Sequence, residues 1–454
     1  MSDLEQLPAR PAHPSFGDAV RVWARIGVLS FGGPAGQIAL MHRELVDERR
    51  WISESRFLHA LNFCMLLPGP EAQQLATYIG WLLHGWRGGL MAGLLFVAPG
   101  FLVILALSAI YAVWGQTGLL DSAFMGLKAA VLVIVVEALI RVGKRSLKNN
   151  VMRAVAVAAF VALFAFAAPF PLVILAAALI GYTGFRFAPD VFSAGGHHAA
   201  GADLPAVIDA DHPGRPASWR GSLLATLVWT TLWAAPFGLL FAFGLESSVY
   251  VDISLFFSKM AVVTFGGAYA VLSYVAQQAV DHYQWLKPGE MLDGLGLAET
   301  TPGPLVLVLS FVGFIAGFRG SGALSPLAGG ALGATLTTWV TFAPCFLWIF
   351  LGAPWIERLR ANRALSGAMT AISAAVTGVI FNLALWFATH VVFGRHVAIE
   401  AGPFRTSLPD PTSVNLVQLA LTMLAAIALF RFRLGVFRTL ALLAGAGVLV
   451  GQAF

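Results

Sequence analysis

The sequence predicts an all-α polytopic membrane protein made of two inverted-topology repeats, and three observations predict it. Only 11% of the 454 residues are charged and 58% are hydrophobic, with a mean hydropathy of +0.79. An ordinary globular protein carries roughly a quarter charged residues, so these charges cannot clothe a water-facing surface. The apolar residues come in continuous runs long enough to cross about 30 Å of hydrocarbon, not in the alternating segments of a barrel. Finally, the chain repeats itself: Phe31-Gly32-Gly33 stands 37 residues before Pro68-Gly69-Pro70, and Phe265-Gly266-Gly267 stands 37 residues before Pro302-Gly303-Pro304, so residue n maps on n + 234.

In chain order, residues 1–15 are a polar, Pro-rich tail without the apolar run and cleavage site of a signal peptide, so none is expected to be removed. Residues 16–186 are the first repeat. Within it, 16–33 and 57–84 read as re-entrant or broken helices, and spans are expected near 90–114, 120–140, 151–168 and 171–186. Residues 187–220, rich in Gly, Pro and Asp, read as an exposed linker. Residues 221–454 add an extra span near 221–244 and the second repeat, with spans near 323–353, 366–391, 413–430 and 434–453. No strands are expected. His197, His198 and His212 with Asp203, Asp209 and Asp211 lie in the linker without ordered ligand spacing, so neither a metal nor another cofactor is expected. Cys64 and Cys345, far apart in the chain, read as packing residues.

In the n + 234 register Arg25 meets Lys259, Ser30 meets Thr264, Asp47 meets Asp281 and Trp51 meets Trp285, and 12 of the 46 positions from 25 to 70 are identical, which marks a duplicated module. Further on, Gly85-Trp86-Arg87-Gly88 resembles Gly317-Phe318-Arg319-Gly320, and Ala98-Pro99 resembles Ala343-Pro344. Cations orient the copies. Arg43, Arg49, Arg50 and Arg56 fill 34–56, and Arg141, Lys144, Arg145, Lys148 and Arg153 fill 141–153, while 268–290 has only Lys287. Arg358, Arg360 and Arg363 follow one later span, and Arg431, Arg433 and Arg438 separate the last two. The positive-inside rule then puts 34–87 in the cytoplasm and 268–319 outside, with 221–244 turning the second copy over. Inverted repeats are the arrangement many secondary transporters use for alternating access. Cations gathered at span ends also argue against a nucleic-acid partner, despite a pI near 9.4.

Pro-Gly-Pro inside an apolar stretch breaks a helix, because proline lacks the amide hydrogen and blocks the preceding turn. Pro68, Gly69 and Pro70, and equally Pro302, Gly303 and Pro304, should end one half-helix and start another near Glu71 or Leu305. Half-helix N-termini expose amide donors and attract anions. Arg25 and Lys259, six residues before each Phe-Gly-Gly, complete a candidate cradle for a divalent oxyanion, although long side chains also snorkel to the interface. Gly32, Gly33, Gly266 and Gly267 allow close approach of backbone, to a ligand or to another helix. Asn62, Gln73 and Gln74 in the first copy, and Thr300 and Thr301 in the second, offer hydrogen bonds to oxygen atoms. Glu71 and Glu299, the carboxylates nearest the breaks, are candidates for a coupling proton, and Glu71 also fits a plain helix-dipole cap. Glu137 and Arg141, at i and i+4, fit a structural pair. With no GxxxxGK[ST], HExxH or GxSxG, neither an ATP-driven pump nor a hydrolase is indicated.

The stretches Phe31-Gly-Gly-Pro-Ala-Gly-Gln-Ile-Ala-Leu-Met-His42, Leu66-Leu-Pro-Gly-Pro-Glu-Ala-Gln-Gln-Leu-Ala-Thr-Tyr-Ile-Gly80, Phe265-Gly-Gly-Ala-Tyr-Ala-Val271 and Ala298-Glu-Thr-Thr-Pro-Gly-Pro304 closely resemble the chromate ion transporter family, in particular its long-chain members with two fused modules. The resemblance covers most of 16–453. It implies a multi-pass protein of the bacterial inner membrane, not an enzyme, that exports chromate and confers resistance, driven by the proton gradient or membrane potential. Its partners would be chromate or a sulfate-like oxyanion and the lipid bilayer, with a homodimer as one candidate assembly. A passive anion channel is the alternative from another functional class. The copies depart from each other at Pro34 against Ala268 and Gln73 against Leu307, which implies unequal roles.

Overall fold

The computed structural model describes residues 10–115, 117–192, 204–209, 218–245, 248–265, 268–355, 363–402 and 404–453. The chain is helical almost throughout, and among the described residues six helices are long and apolar enough to cross a membrane. The first copy begins with α1 (Phe16–Leu29), capped by the Ser15 hydroxyl accepting from the Asp18 amide, and α2 (Gly33–His42), which widens into a π-helical turn, Arg43–Glu48. Next come α3 (Glu54–Cys64) and α4 (Glu71–Trp114). The latter is two helices: His84 and Gly85 leave helical geometry, and the chain folds back so tightly that a Cβ on Gly80 would lie 2.4 Å from the Gly88 carbonyl oxygen.

Three helices close the first repeat, α5 (Gly118–Ser146), α6 (Asn150–Phe166) and α7 (Phe170–Phe187), before a short turn of helix, α8 (Pro189–Phe192). The extra span is α9 (Trp219–Ala242), which leans on the second copy through Trp229 stacked on Phe346 and Trp339 Nε1 donating to the Leu232 carbonyl at 2.7 Å. The second copy repeats the plan with α10 (Val249–Val263), α11 (Ala268–Gln277) and α12 (Glu290–Thr300). A 3-10 turn at Leu305–Leu307 leads into α13 (Val308–Arg319) and then α14 (Pro326–Gly352). The chain ends with α15 (Arg363–Val392), α16 (Leu416–Ala426) and α17 (Val436–Ala453). A helix lies at each expected span, but those near 151–168, 413–430 and 434–453 are shorter than the six long enough to cross.

Two expectations need correction. Between α15 and α16 the chain forms an antiparallel hairpin, β1 (His396–Ala401) with β2 (Phe404–Pro409), turned at Gly402 with φ +62. The apolar-run criterion overlooks it because two short strands pair their own backbone without needing a hydrophobic run. The linker is also not exposed throughout. Ala206, Val207 and Ile208 are buried against the first copy, where the Ser53 amide donates to the Ile208 carbonyl at 2.9 Å and Asp209 pairs with Arg10 at 3.1 Å. His197, His198, Asp203, Asp211 and His212, with Arg358 and Arg360, lie outside the described residues.

Candidate functional site

Both Pro-Gly-Pro triplets sit at the tips of helical hairpins. Phe63 of α3 packs on Tyr78 of α4 with ring centroids 5.5 Å apart, and a Cβ on Gly294 of α12 would meet the Phe311 ring of α13 at 2.2 Å. A hairpin of two short helices must turn within the triplet, and Gly69 and Gly303 do so at φ +115 and +87, where only glycine is unstrained. The half-helix expected at Glu71 begins there, and its counterpart starts as the 3-10 turn at Leu305.

The tips meet across the copies. The Gly69 amide donates to the Thr264 carbonyl at 2.8 Å, and the Gly303 amide donates to the Ser30 carbonyl, also at 2.8 Å. Ser30 and Thr264 are equivalent positions, as are Gly69 and Gly303, so the two bonds are reciprocal. They satisfy carbonyls at the ends of α1 and α10 that their own helices leave without partners. The residue after each Ala-Pro packs on the opposite tip: a Cβ on Gly100 would lie 2.1 Å from the Pro302 carbonyl oxygen, and one on Gly69 would lie 2.8 Å from Cys345 Sγ. The glycine amides of the two tips are thus engaged between the copies.

Gln37, on α2, holds the second tip further by donating to the Gly303 carbonyl at 2.6 Å. It lies inside the Phe-Gly-Gly motif stretch, but its counterpart Val271 is apolar, so comparison of the copies hid it. Gln73 donates to Thr77 Oγ1 at 3.0 Å and Gln74 to the Pro68 carbonyl at 2.7 Å; the side-chain oxygens of both are buried without a partner among the described residues. Such acceptors call for water or a ligand. Thr300 and Thr301 turn their hydroxyls to the Leu297 and Ala298 carbonyls, both at 2.8 Å, and Asn62 is exposed. Gly32 and Gly33 have φ +84 and +68, and nothing stands within 4 Å of a Cβ on either. Gly266 and Gly267 lie outside the described residues.

Arg25 and Lys259 are exposed, and Arg25 Nε pairs at 3.3 Å with Glu44, a buried carboxylate that Arg49 also holds. The cations whose field reaches the carboxylates at the tips come from α5: Arg145 acts on Glu71, and the Glu137–Arg141 pair, 2.7 Å apart, acts on Glu299. Glu299 accepts a 2.6 Å hydrogen bond from the Tyr269 hydroxyl. Positions 137, 141 and 145 share one helix face, so a single stripe of α5 serves both tips. Their place in a basic cytoplasmic loop by sequence masked this.

Two clasped helix breaks with buried polar groups, set in a multi-pass bundle, define a membrane transporter. The chain belongs to the chromate transporter family, which matches residues 17–182 and 251–451 and so spans both copies. It is 31% identical to a chromate transport protein of Pseudomonas aeruginosa over 82% of this chain and 81% of that one. With a chromate transport protein of Cupriavidus metallidurans the identity is 28% over 80% of each. An uncharacterized transporter of Methanocaldococcus jannaschii is 24% identical over 83% of this chain and 85% of that one. No solved structure matches.

Proposed function

We propose that the chain exports chromate across the bacterial inner membrane by alternating access of two inverted repeats, conferring chromate resistance. The observation that carries this reading is the reciprocal clasp, Gly69 on Thr264 and Gly303 on Ser30, because exchanging which of two equivalent tips is closed exposes a central site to one side at a time. Chromate, a tetrahedral dianion of roughly sulfate size, suits half-helix amides, the Gln73 and Gln74 amide groups and the α5 arginines. Dehydrating a dianion is costly, which favours many fixed donors over a greasy pore. Arg25 and Lys259, exposed at equivalent positions, would serve capture and release. Glu71 and Glu299 would carry the coupling proton beside those arginines.

The test is chromate flux into inverted vesicles with an imposed pH gradient and sulfate as competitor. Uphill flux abolished by a protonophore is expected, with Arg145→Ala and Arg141→Ala each lowering it at least about tenfold, the worth of roughly 1.4 kcal/mol. Downhill flux that persists unchanged with protonophore would instead make the protein a passive anion channel. Complete suppression by sulfate, with sulfate itself transported faster, would make chromate the mimic of another oxyanion.

A further inference from the structure

We propose that Asp293 is a second proton-binding site, supplied through Lys128 from a cavity between α5, α16 and α17. Asp293 lies on α12 and is 2% exposed. Its Oδ2 atom accepts from the Tyr111 hydroxyl at 2.8 Å and pairs with Lys128 Nζ at 3.3 Å, while Oδ1 is buried with no partner among the described residues. A carboxylate in a membrane bundle with half its acceptor capacity unused is costly to keep ionised and is usually functional.

Lys128 connects it to water. Its side chain keeps 24% exposure and lines a cavity of about 400 Å³ with Asp121, Ser122, Asn415 and Gln418. That volume has room for on the order of ten waters. Gln418, itself 8% exposed, closes the cavity from the α16 side. The charged and titratable groups around Asp293 are Lys128 of α5, Tyr111 of α4, Glu290 of its own helix and Arg319 of α13, which holds Glu290 at 2.7 and 2.9 Å; Asp121 stands across the cavity.

The proton moves in two balanced steps. A Lys128 Nζ–H bond breaks as an Asp293 Oδ2–H bond forms, giving neutral amine and neutral acid. The amine then takes a proton from a hydronium ion in the cavity, leaving water. The net change is one proton moved from the cavity to Asp293, with Lys128 regenerated as the cation. What that proton drives rests on the transport reading above, but its binding does not.

Dicyclohexylcarbodiimide, which modifies protonated carboxyl groups in apolar surroundings, tests this on the full-length protein, with peptide mapping by mass spectrometry. Asp293 should be modified at acid pH and progressively less as pH rises, while a water-soluble carbodiimide modifies Asp121 and spares Asp293. Lys128→Ala removes the opposing charge and should raise modification at neutral pH about tenfold, and Tyr111→Phe should raise it less. Absence of modification at Asp293 at every pH where the protein stays monodisperse, or modification that does not change with pH, overturns the proposal. The wild-type series alone is decisive if Lys128→Ala does not fold. In vesicles, Asp293→Asn should keep downhill chromate flux and lose its response to the pH gradient. Wild-type protein that moves no chromate yet is modified at Asp293 would overturn the substrate reading and leave this site standing.

Discussion

Around the first break Met65, Leu66, Leu67, Pro68 and Pro70 are only partly buried and Asn62 is exposed, whereas around the second every residue from Thr301 to Leu309 is buried. The two triplets are identical in sequence and in the left-handed turn of their glycines, so the difference comes from what surrounds them. The first tip belongs to a smaller core made by α1, α3 and the start of α4; the second lies in the main core among α4, α5, α13 and α14. Duplication conserves local conformation and leaves access to the neighbours. Equal breaks with unequal exposure are what a one-sided conformation of the proposed carrier requires.

Substitutions at matched positions sharpen this comparison. The largest effect is expected at Arg319, whose guanidinium grips the buried Glu290 and donates to the Trp285 carbonyl at 2.6 Å. Its counterpart Arg87 is exposed and stacks on Trp86 at 5.4 Å. Arg319 keeps 35% side-chain exposure, but Arg319→Ala leaves the buried Glu290 without its partner and should destabilise by about 3 kcal/mol, the upper end for an orphaned buried acceptor. Arg87→Ala should stay within about 0.5 kcal/mol. Monodispersity after heating in detergent reads both, and equal losses would break the comparison.

Gly100 and Cys345 come next, being equivalent positions with opposite tolerances. Gly100→Ala pushes a methyl group onto the Pro302 backbone, which cannot swing aside, and should cost about 3 kcal/mol, the upper end for overpacking. Cys345→Ala removes only a sulfur beside Gly69 and should be mild by the same assay. Gln37→Ala leaves the buried Gly303 carbonyl with one donor fewer and should cost roughly 1–2 kcal/mol. Val271→Gln at the equivalent place in the second copy should not restore it.

The smallest effect concerns the β1–β2 hairpin. The Thr412 hydroxyl and amide donate to Asp410, and with Arg395 they hold its carboxyl below the usual aspartate range. A depressed carboxyl stabilises the fold above its unfolded value and loses that contribution as pH falls through the folded one. Loosening of the hairpin, read by hydrogen exchange, should therefore appear only in acid below the ordinary aspartate range, and Asp410→Asn should remove the pH dependence.

Much of the architecture is legible in residue order. Continuous apolar runs identify the spans because lipid leaves a backbone no alternative to internal hydrogen bonding, and Pro-Gly-Pro identifies the breaks because its stereochemistry is local. The same local signals did not reveal that Arg25 pairs with Glu44, nor that Arg145, read as a loop cation, reaches Met65 beside the first tip. Asp293 and Lys128 are separated by 165 positions and share no motif, so no spacing rule could join them.

The sequence by itself determined a duplicated, helical, membrane-embedded chain and the two places where its helices must break, since these follow from hydropathy and from proline and glycine geometry within a few residues. Only the tertiary structure decided that each glycine amide closes on the other copy, that one break is covered while the other is reachable, and that a buried aspartate answers to a lysine on a distant helix. Those are contacts between segments far apart in the chain, and a hydrogen bond or ion pair exists only where packing brings its two halves within reach.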